Sequence, residues 1–324
     1  MKKLCVVGLM VFLCMGLLVS GTLADNFPSK PIKIIVPFKA GGGTDTSTRL
    51  IQKYLEKVLP VKVAIINKGG AAGTIGSRHV LKAKPDGYTL LVNIPNLWTN
   101  KFLGTADFDA TAFEPIAETW SFAMVEVTRP AAQFKNLKDY IAAAKEKPKN
   151  IKQAINIGAS THFCSLAVQD LTGAQFKMVH IGDGASRIAA VLGGHVDSTL
   201  MGTNEAIRFH KSGEMRVLGI YGEKPYPGLE EVPTSYALGI PFKFPLSYRF
   251  YAPRGTPKDR IEYLADAFKK ALDDPELQRK VAAQSCLITY KRGEELKSAI
   301  MEEGKLLERI AKKYNLMNLK KKKK

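Results

Sequence analysis

The ordered alternation of apolar and polar positions begins with a short β-rich run at 32–37. A polar, glycine-rich stretch follows, and then Leu50, Ile51, Tyr54, Leu55 and Val58 recur at helical spacing within 46–58, which places one apolar stripe on a helix. The same strand, loop and helix unit returns as a strand at 61–67, a second glycine-rich loop "KGGAAGTIG" and a helix to about 83. A third strand at 88–93 follows the turn Pro85-Asp86-Gly87. Strands and helices of this length in alternation predict an α/β fold with a parallel sheet covered on both faces.

A second series reads helix 137–147, strand 151–157, helix 161–171, strand 176–180, helix 185–192, strand 195–201, helix 205–210 and strand 215–221. After one more strand in "LSYRFYAP", helices take over. Thr256-Pro257-Lys258-Asp259 predicts a helix start with Thr256 as N-cap and Pro257 in the first position, and Asp274-Pro275-Glu276 predicts another. The last helix, 294–314, carries Leu296, Ile300, Leu306, Leu307 and Ile310 on one face, as expected of a helix that crosses back over the first domain.

The first residues stand outside this pattern. Lys2 and Lys3 precede an apolar run at 4–19 that ends in small residues, which predicts a signal peptide over 1–24, cut after Ala24, and export to the periplasm. The run is short for a membrane-spanning helix, and nothing later in the chain approaches the necessary length. The remaining chain of about 295 residues exceeds one small core, so two domains are expected. Cys5 and Cys14 leave with the leader, and Phe12-Leu13 before Cys14 lacks the small residue of a lipoprotein signal. Cys164 and Cys286 then allow at most one bridge, which excludes a disulfide scaffold.

The formal charge is +18, but Lys2, Lys3 and the terminal run Lys320 to Lys324 supply seven of these charges, leaving +11 over 25–319. A basic body attracts anions, and equally serves as a solvated surface. The lysine end reads as a disordered, self-repelling tail. No nucleic-acid-binding signature accompanies it.

The loop "VPFKAGGGTDTSTRL", 36–50, carries the most chemistry. Glycines between a strand and a helix expose backbone N–H groups and the positive end of the helix dipole, which suits an anion. A plain tight turn is the alternative. The spacing fits neither a P-loop nor, in the second loop, the dinucleotide fingerprint, so no cofactor is expected. Asp45 reads as a capping acid with Arg49 as its partner one turn on, or as a partner for a ligand ammonium or hydroxyl. Ser160 and His162 in "GASTH" do not form G-x-S-x-G, and the five histidines lack metal-ligand spacing. Neither catalytic nor metal residues are therefore predicted. Ser160 and Thr161, at a strand-to-helix handover, read either as hydroxyl donors to an anion or as a simple N-cap.

Five blocks, "FPSKPIKIIVPFKAGGGTD" (27–45), "GGAAGTIGSRHVLKAKPDGYTLL" (69–91), "GGHVD" (193–197), "EVPTSYALG" (231–239) and "APRGTPKDRIEYL" (252–264), resemble the Bug family in order and spacing. These are periplasmic receptors of tripartite tricarboxylate transporters. The resemblance covers about 27–314 and implies a two-lobed, type II Venus-flytrap receptor, not an enzyme, that closes on a small carboxylate and delivers it to a multi-spanning permease. It implies a monomer without cofactor or metal. The implied ligand loop is Ala40, Gly41, Gly42, Gly43, Thr44 and Asp45 beside Phe38, with Asn93 and Pro95 at the mouth. The opposite wall falls to Ser160, Thr161, Gly182, Asp183 and Thr203. The family's "Y-x-G" is replaced by Ile181-Gly182-Asp183, which adds an acid that would favour an amine. Arg187 reads as a partner for a second carboxylate or as a solvated surface arginine, and Arg249 as a structural ion pair near the lobe crossing. The expected boundaries are 25–125 plus 247–319 for lobe 1 and 126–246 for lobe 2. A subunit that signals to a membrane sensor, or an exported enzyme acting on a carboxylate, are the rival classes.

Overall fold

The computed structural model describes residues 26–182 and 184–317; the expected leader (1–24), the lysine end (320–324) and Asp183 lie outside the described residues, as do 25, 318 and 319. In the first lobe β1 (Ile32–Val36) pairs in parallel with β2 (Val63–Asn67) and β3 (Thr89–Asn93). The crossovers are α1 (Gly43–Val58) and α2 (Thr74–Leu81). The apolar stripe of α1 buries Ile51, Tyr54 and Leu55, each worth about 1.5–3 kcal/mol of transfer free energy. The helix stops at Leu59, whose backbone is extended, because the following Pro60 disfavours helical geometry in the residue before it.

In the second lobe β5 (Lys152–Ile155) lies between and parallel to β6 (Lys177–His180) and β7 (Ser198–Gly202). Its helices are α4 (Leu137–Glu146), α5 (Ser160–Thr172), α6 (Gly184–Leu192) and α7 (Thr203–Lys211). Two strands meet where the lobes join. The long β4 (Phe113–Thr128) pairs antiparallel with β9 (Pro245–Pro253) through residues 113–123, and with β7 and β8 (Arg216–Ile220) through residues 124–128. On its other edge β4 takes up β10 (Leu287–Lys291), while β9 pairs with β3. Helices α8 (Lys258–Leu272) and α9 (Pro275–Ala283) pack beside α1.

The pattern did not predict β10, β4 or the short α3 (Asn96–Phe102). In β4 the acids Glu118 and Glu126 interrupt the apolar pattern, yet both are buried; only tertiary partners make that possible. The final helix, α10 (Gly293–Lys313), reaches both lobes rather than one. The Trp98 indole of α3 donates to Ile300 O at 3.1 Å and Lys313 pairs with Asp170 of α5. Thr256 does not cap α8: its hydroxyl turns back to Pro253 O at 2.7 Å, and Pro257 holds the N-cap position. Asp274 does cap α9, accepting from Glu276 N at 2.8 Å with Pro275 in the first turn. Cys164 and Cys286 are buried free thiols. Among the described residues no helix is long and apolar enough to cross a membrane.

Candidate functional site

The glycine loop is held open by the acid that follows it. Gly41 adopts a φ of 81°, which favours glycine, and its N–H donates to Asp45 Oδ2 at 2.8 Å. The same oxygen accepts from Arg49 Nε at 3.0 Å, and Oδ1 accepts from Asn67 Nδ2 at 2.9 Å. Burial raises the Asp45 titration, but Arg49, the Gly41 N–H and Asn67 together hold it below the usual carboxylate range. Asp45 thus spends its carboxylate on the loop's own framework. Gly42 and Gly43, which open α1, are exposed, and the N–H groups of a helix's first turn have no partner within the helix. Ala40 is exposed beside them, Thr44 is buried behind them, and the Phe38 ring packs on Gly73 of the second glycine loop, 3.3 Å from where a Cβ would stand.

From the second lobe the nearest polar group is Asn204, in the first turn of α7. A Cβ built on Gly43 would stand 3.8 Å from Asn204 Nδ2 and 3.5 Å from the hydroxyl of Tyr248 on β9. Tyr248 also interacts with Ser47 on α1. Thr203, next to Asn204, is fully buried and donates to Ser285 O at 2.7 Å, so its hydroxyl proton joins the lobes. Thr161 Oγ1 accepts from Asn156 N at 3.0 Å, and Ala159 is the N-cap of α5, with Ser160 first in the helix. His162 Nδ1 accepts from Gly158 N at 3.2 Å, and burial with the nearby His180 lowers its titration to about 4. It is a neutral loop brace. Gly182 is exposed at the end of β6, and Arg187 Nη1 donates to Ile181 O at 3.5 Å. Asn93 is buried, donating to Ser77 Oγ at 3.1 Å and accepting from Ile94 N.

Sequence reading missed Asn67, Ser47, Asn204 and Tyr248. Asn67 and Asn204 stand at the turns where strands end, a signal available in the chain. Ser47 and Tyr248 are far apart in sequence, and only the tertiary fold makes them neighbours.

Pro95 lies elsewhere. It lines a cavity of about 410 Å³ on the opposite side of β9, with Glu118, Ser247, Arg249, Lys291 and Glu303. Arg249 Nε meets Glu118 Oε2 at 2.9 Å and Nη1 meets Glu303 Oε2 at 2.8 Å, while Lys291 meets Glu118 Oε1 at 2.8 Å. The expected ion pair of Arg249 is present and joins both crossing strands to α10. Its charges are already matched, whereas the glycine loop presents unmatched N–H groups. Among the described residues no cluster of three or more His, Cys, Asp or Glu converges as metal ligands do.

The chain matches the model of the tripartite tricarboxylate transporter family receptor over residues 47–316. It is 27% identical to protein BugT of Bordetella pertussis over 311 residues, covering 93% of this chain and 94% of BugT. A TctC solute-binding protein from Polaromonas superimposes with a TM-score of 0.78 at 27% identity, over 89% of this chain and 99% of that one. MatC from Rhodopseudomonas palustris, solved with bound malate, does so with a TM-score of 0.74 at 25% identity, over 88% and 100%. The overall fold described above is shared with these solute-binding proteins. This chain belongs to the tripartite tricarboxylate transporter receptor family.

Proposed function

We propose that the protein is a periplasmic receptor that captures a small carboxylate between its lobes and hands it to a membrane permease. The observation that carries this reading is the exposed Gly42-Gly43 turn, whose N–H groups open α1 while Asp45 is neutralised by Arg49, Asn67 and Gly41. A free carboxylate at that position would repel an anion; a matched one leaves the positive helix end to the guest. The malate held by the related MatC supports the same ligand class. The lobes correspond to 25–125 plus 247–319 and to 126–246, a division supported by β4 and β9 running between them. Ligand that bridges both lobes stabilises the closed state by its differential contacts.

A thermal-shift panel of small carboxylates and amino acids on residues 25–319 tests this, since binding to the native state raises the melting temperature with the logarithm of ligand concentration over Kd. One carboxylate class is expected to stand clear of its analogues; a flat panel on folded protein would refute the reading. Gly42 has an ordinary φ of −75°, and a Cβ there meets only Lys39 O at 3.5 Å. Gly42→Val is therefore expected to fold and to lose binding by about 100-fold or more, because its branches occupy the approach to the N–H groups. Unchanged affinity would remove the loop as the site.

A further inference from the structure

Resting on the reading above, we propose that Asn204 is the second lobe's hydrogen-bond donor to the anion held on the glycine loop, and that Tyr248 positions it. Three observations converge. Asn204 is half-buried, so a ligand can reach it, whereas Thr203 beside it is fully buried and bonded to Ser285 O. Its amide has a defined direction: Oδ1 folds over Gly202, 2.4 Å from where a Cβ would stand, and Nδ2 faces Gly43. Any side chain at position 202 would displace that amide, and Phe122 closes the remaining space at 2.6 Å from the same point.

Tyr248 supplies the third. Its ring is fixed against Trp120 and Phe122, and its hydroxyl interacts with both Asn204 and Ser47. It therefore stands beside the first turn of α7 in one lobe and the N-terminal part of α1 in the other. The Tyr248 hydroxyl and Asn204 Nδ2 stand 3.5 and 3.8 Å from one point beside Gly43, and an amide nitrogen carries two protons, so it can meet the hydroxyl and still offer one to a ligand oxygen. The resulting site is assembled from neutral donors and two helix N-termini, with Nδ2 the group that completes it on closure. Tyr248 is a positioning residue: it is nearly fully buried and acts through Asn204.

Titration calorimetry with malate and with a C4 to C6 dicarboxylate series on wild type, Asn204→Asp and Tyr248→Phe tests the assignment. An acid in the first turn of α7 suits the helix dipole, so Asn204→Asp is expected to keep or raise the ligand-free melting temperature. Its carboxylate would replace a donor by a repelling charge and weaken binding by roughly 100-fold. Tyr248→Phe keeps the ring packing and is expected to weaken binding by roughly tenfold through a misplaced amide, on the scale of one hydrogen bond to a charged group. In the double variant Asn204→Ala with Tyr248→Phe, the tyrosine change is expected to cost almost nothing further, as a purely structural role would not predict. Wild-type protein that binds while both single variants bind within twofold would overturn this assignment alone. A wild type that binds none of these probes nor any member of the broader panel would overturn the receptor reading and the assignment with it.

Discussion

Tyr248 and Arg249 are neighbours on β9, yet the pleat sends them to opposite sides, into surroundings of opposite character. On the Tyr248 side stand hydroxyls, an amide and the bare turn of the glycine loop. On the Arg249 side stands a closed charge network in which every member already has a counterion. A matched network holds elements together, whereas the proposed ligand site offers neutral donors. A cavity of about 410 Å³ lies on the Arg249 side, and the proposed ligand site lies on the other. Glu126, buried in the second lobe, is a control for the network: it has Gln153 Nε2 at 2.8 Å and the Tyr221 hydroxyl at 3.3 Å but, among the described residues, no cation. Burial dominates there and pushes its titration to about 8, despite its neutral hydrogen bonds. Glu118 shows the reverse, since Arg249 and Lys291 more than offset burial and hold it low.

The largest effect is expected from breaking the network at its centre. Arg249→Met leaves Glu303 without its cation and Glu118 with only Lys291, and should cost about 3–5 kcal/mol at pH 7, as loss of one partner of a buried pair does. Chemical denaturation measures it, and the deficit should shrink as the pH falls toward 4 and the acids take up protons. An equal loss at every pH would mean packing, not charge, is what Arg249 supplies.

The next effect has the opposite sign. A carboxyl whose native titration lies near 8 binds its proton more tightly in the fold than in the unfolded chain, so its presence lowers stability as pH rises from about 4.5 to about 8. Glu126→Gln should therefore stabilise the protein on the order of 3 kcal/mol at pH 7 and by almost nothing at pH 4. Stability curves of the two proteins that run parallel across this range would show that Glu126 is not the group responsible.

A smaller effect tests the loop itself. Asp45→Asn keeps an acceptor for the Gly41 N–H but loses the ion pair with Arg49, and should cost about 1–2 kcal/mol. Because the native titration of Asp45 is depressed, the difference from wild type should be present at neutral pH and fade as pH falls below about 4. Ligand affinity should fall less than in Gly42→Val, since Asp45 frames the loop and does not hold the guest.

Much of the fold was legible because short-range patterning carried it. The alternation from β1 to β3, the stripe on α1 and the Asp274 cap of α9 each follow from local spacing. The glycine loop was legible for the same reason: glycines between a strand and a helix have few local alternatives. The junction was not. The acids of β4 read as breaks until Arg249 and Lys291, more than a hundred residues away, meet Glu118. The Thr256 cap failed because a nearer carbonyl, Pro253 O, captured its hydroxyl.

The sequence by itself determined the α/β repeat, the position of the glycine loop and, through ordered blocks of motif, the family. Those rest on interactions within a few residues, which local chemistry fixes. Only the tertiary structure decided that Asp45 is consumed by its own loop, that Thr203 ties the lobes together, and that Asn204 turns its nitrogen toward Gly43. Each of these depends on which distant group arrives first to satisfy a buried polar atom, and that competition is settled by packing.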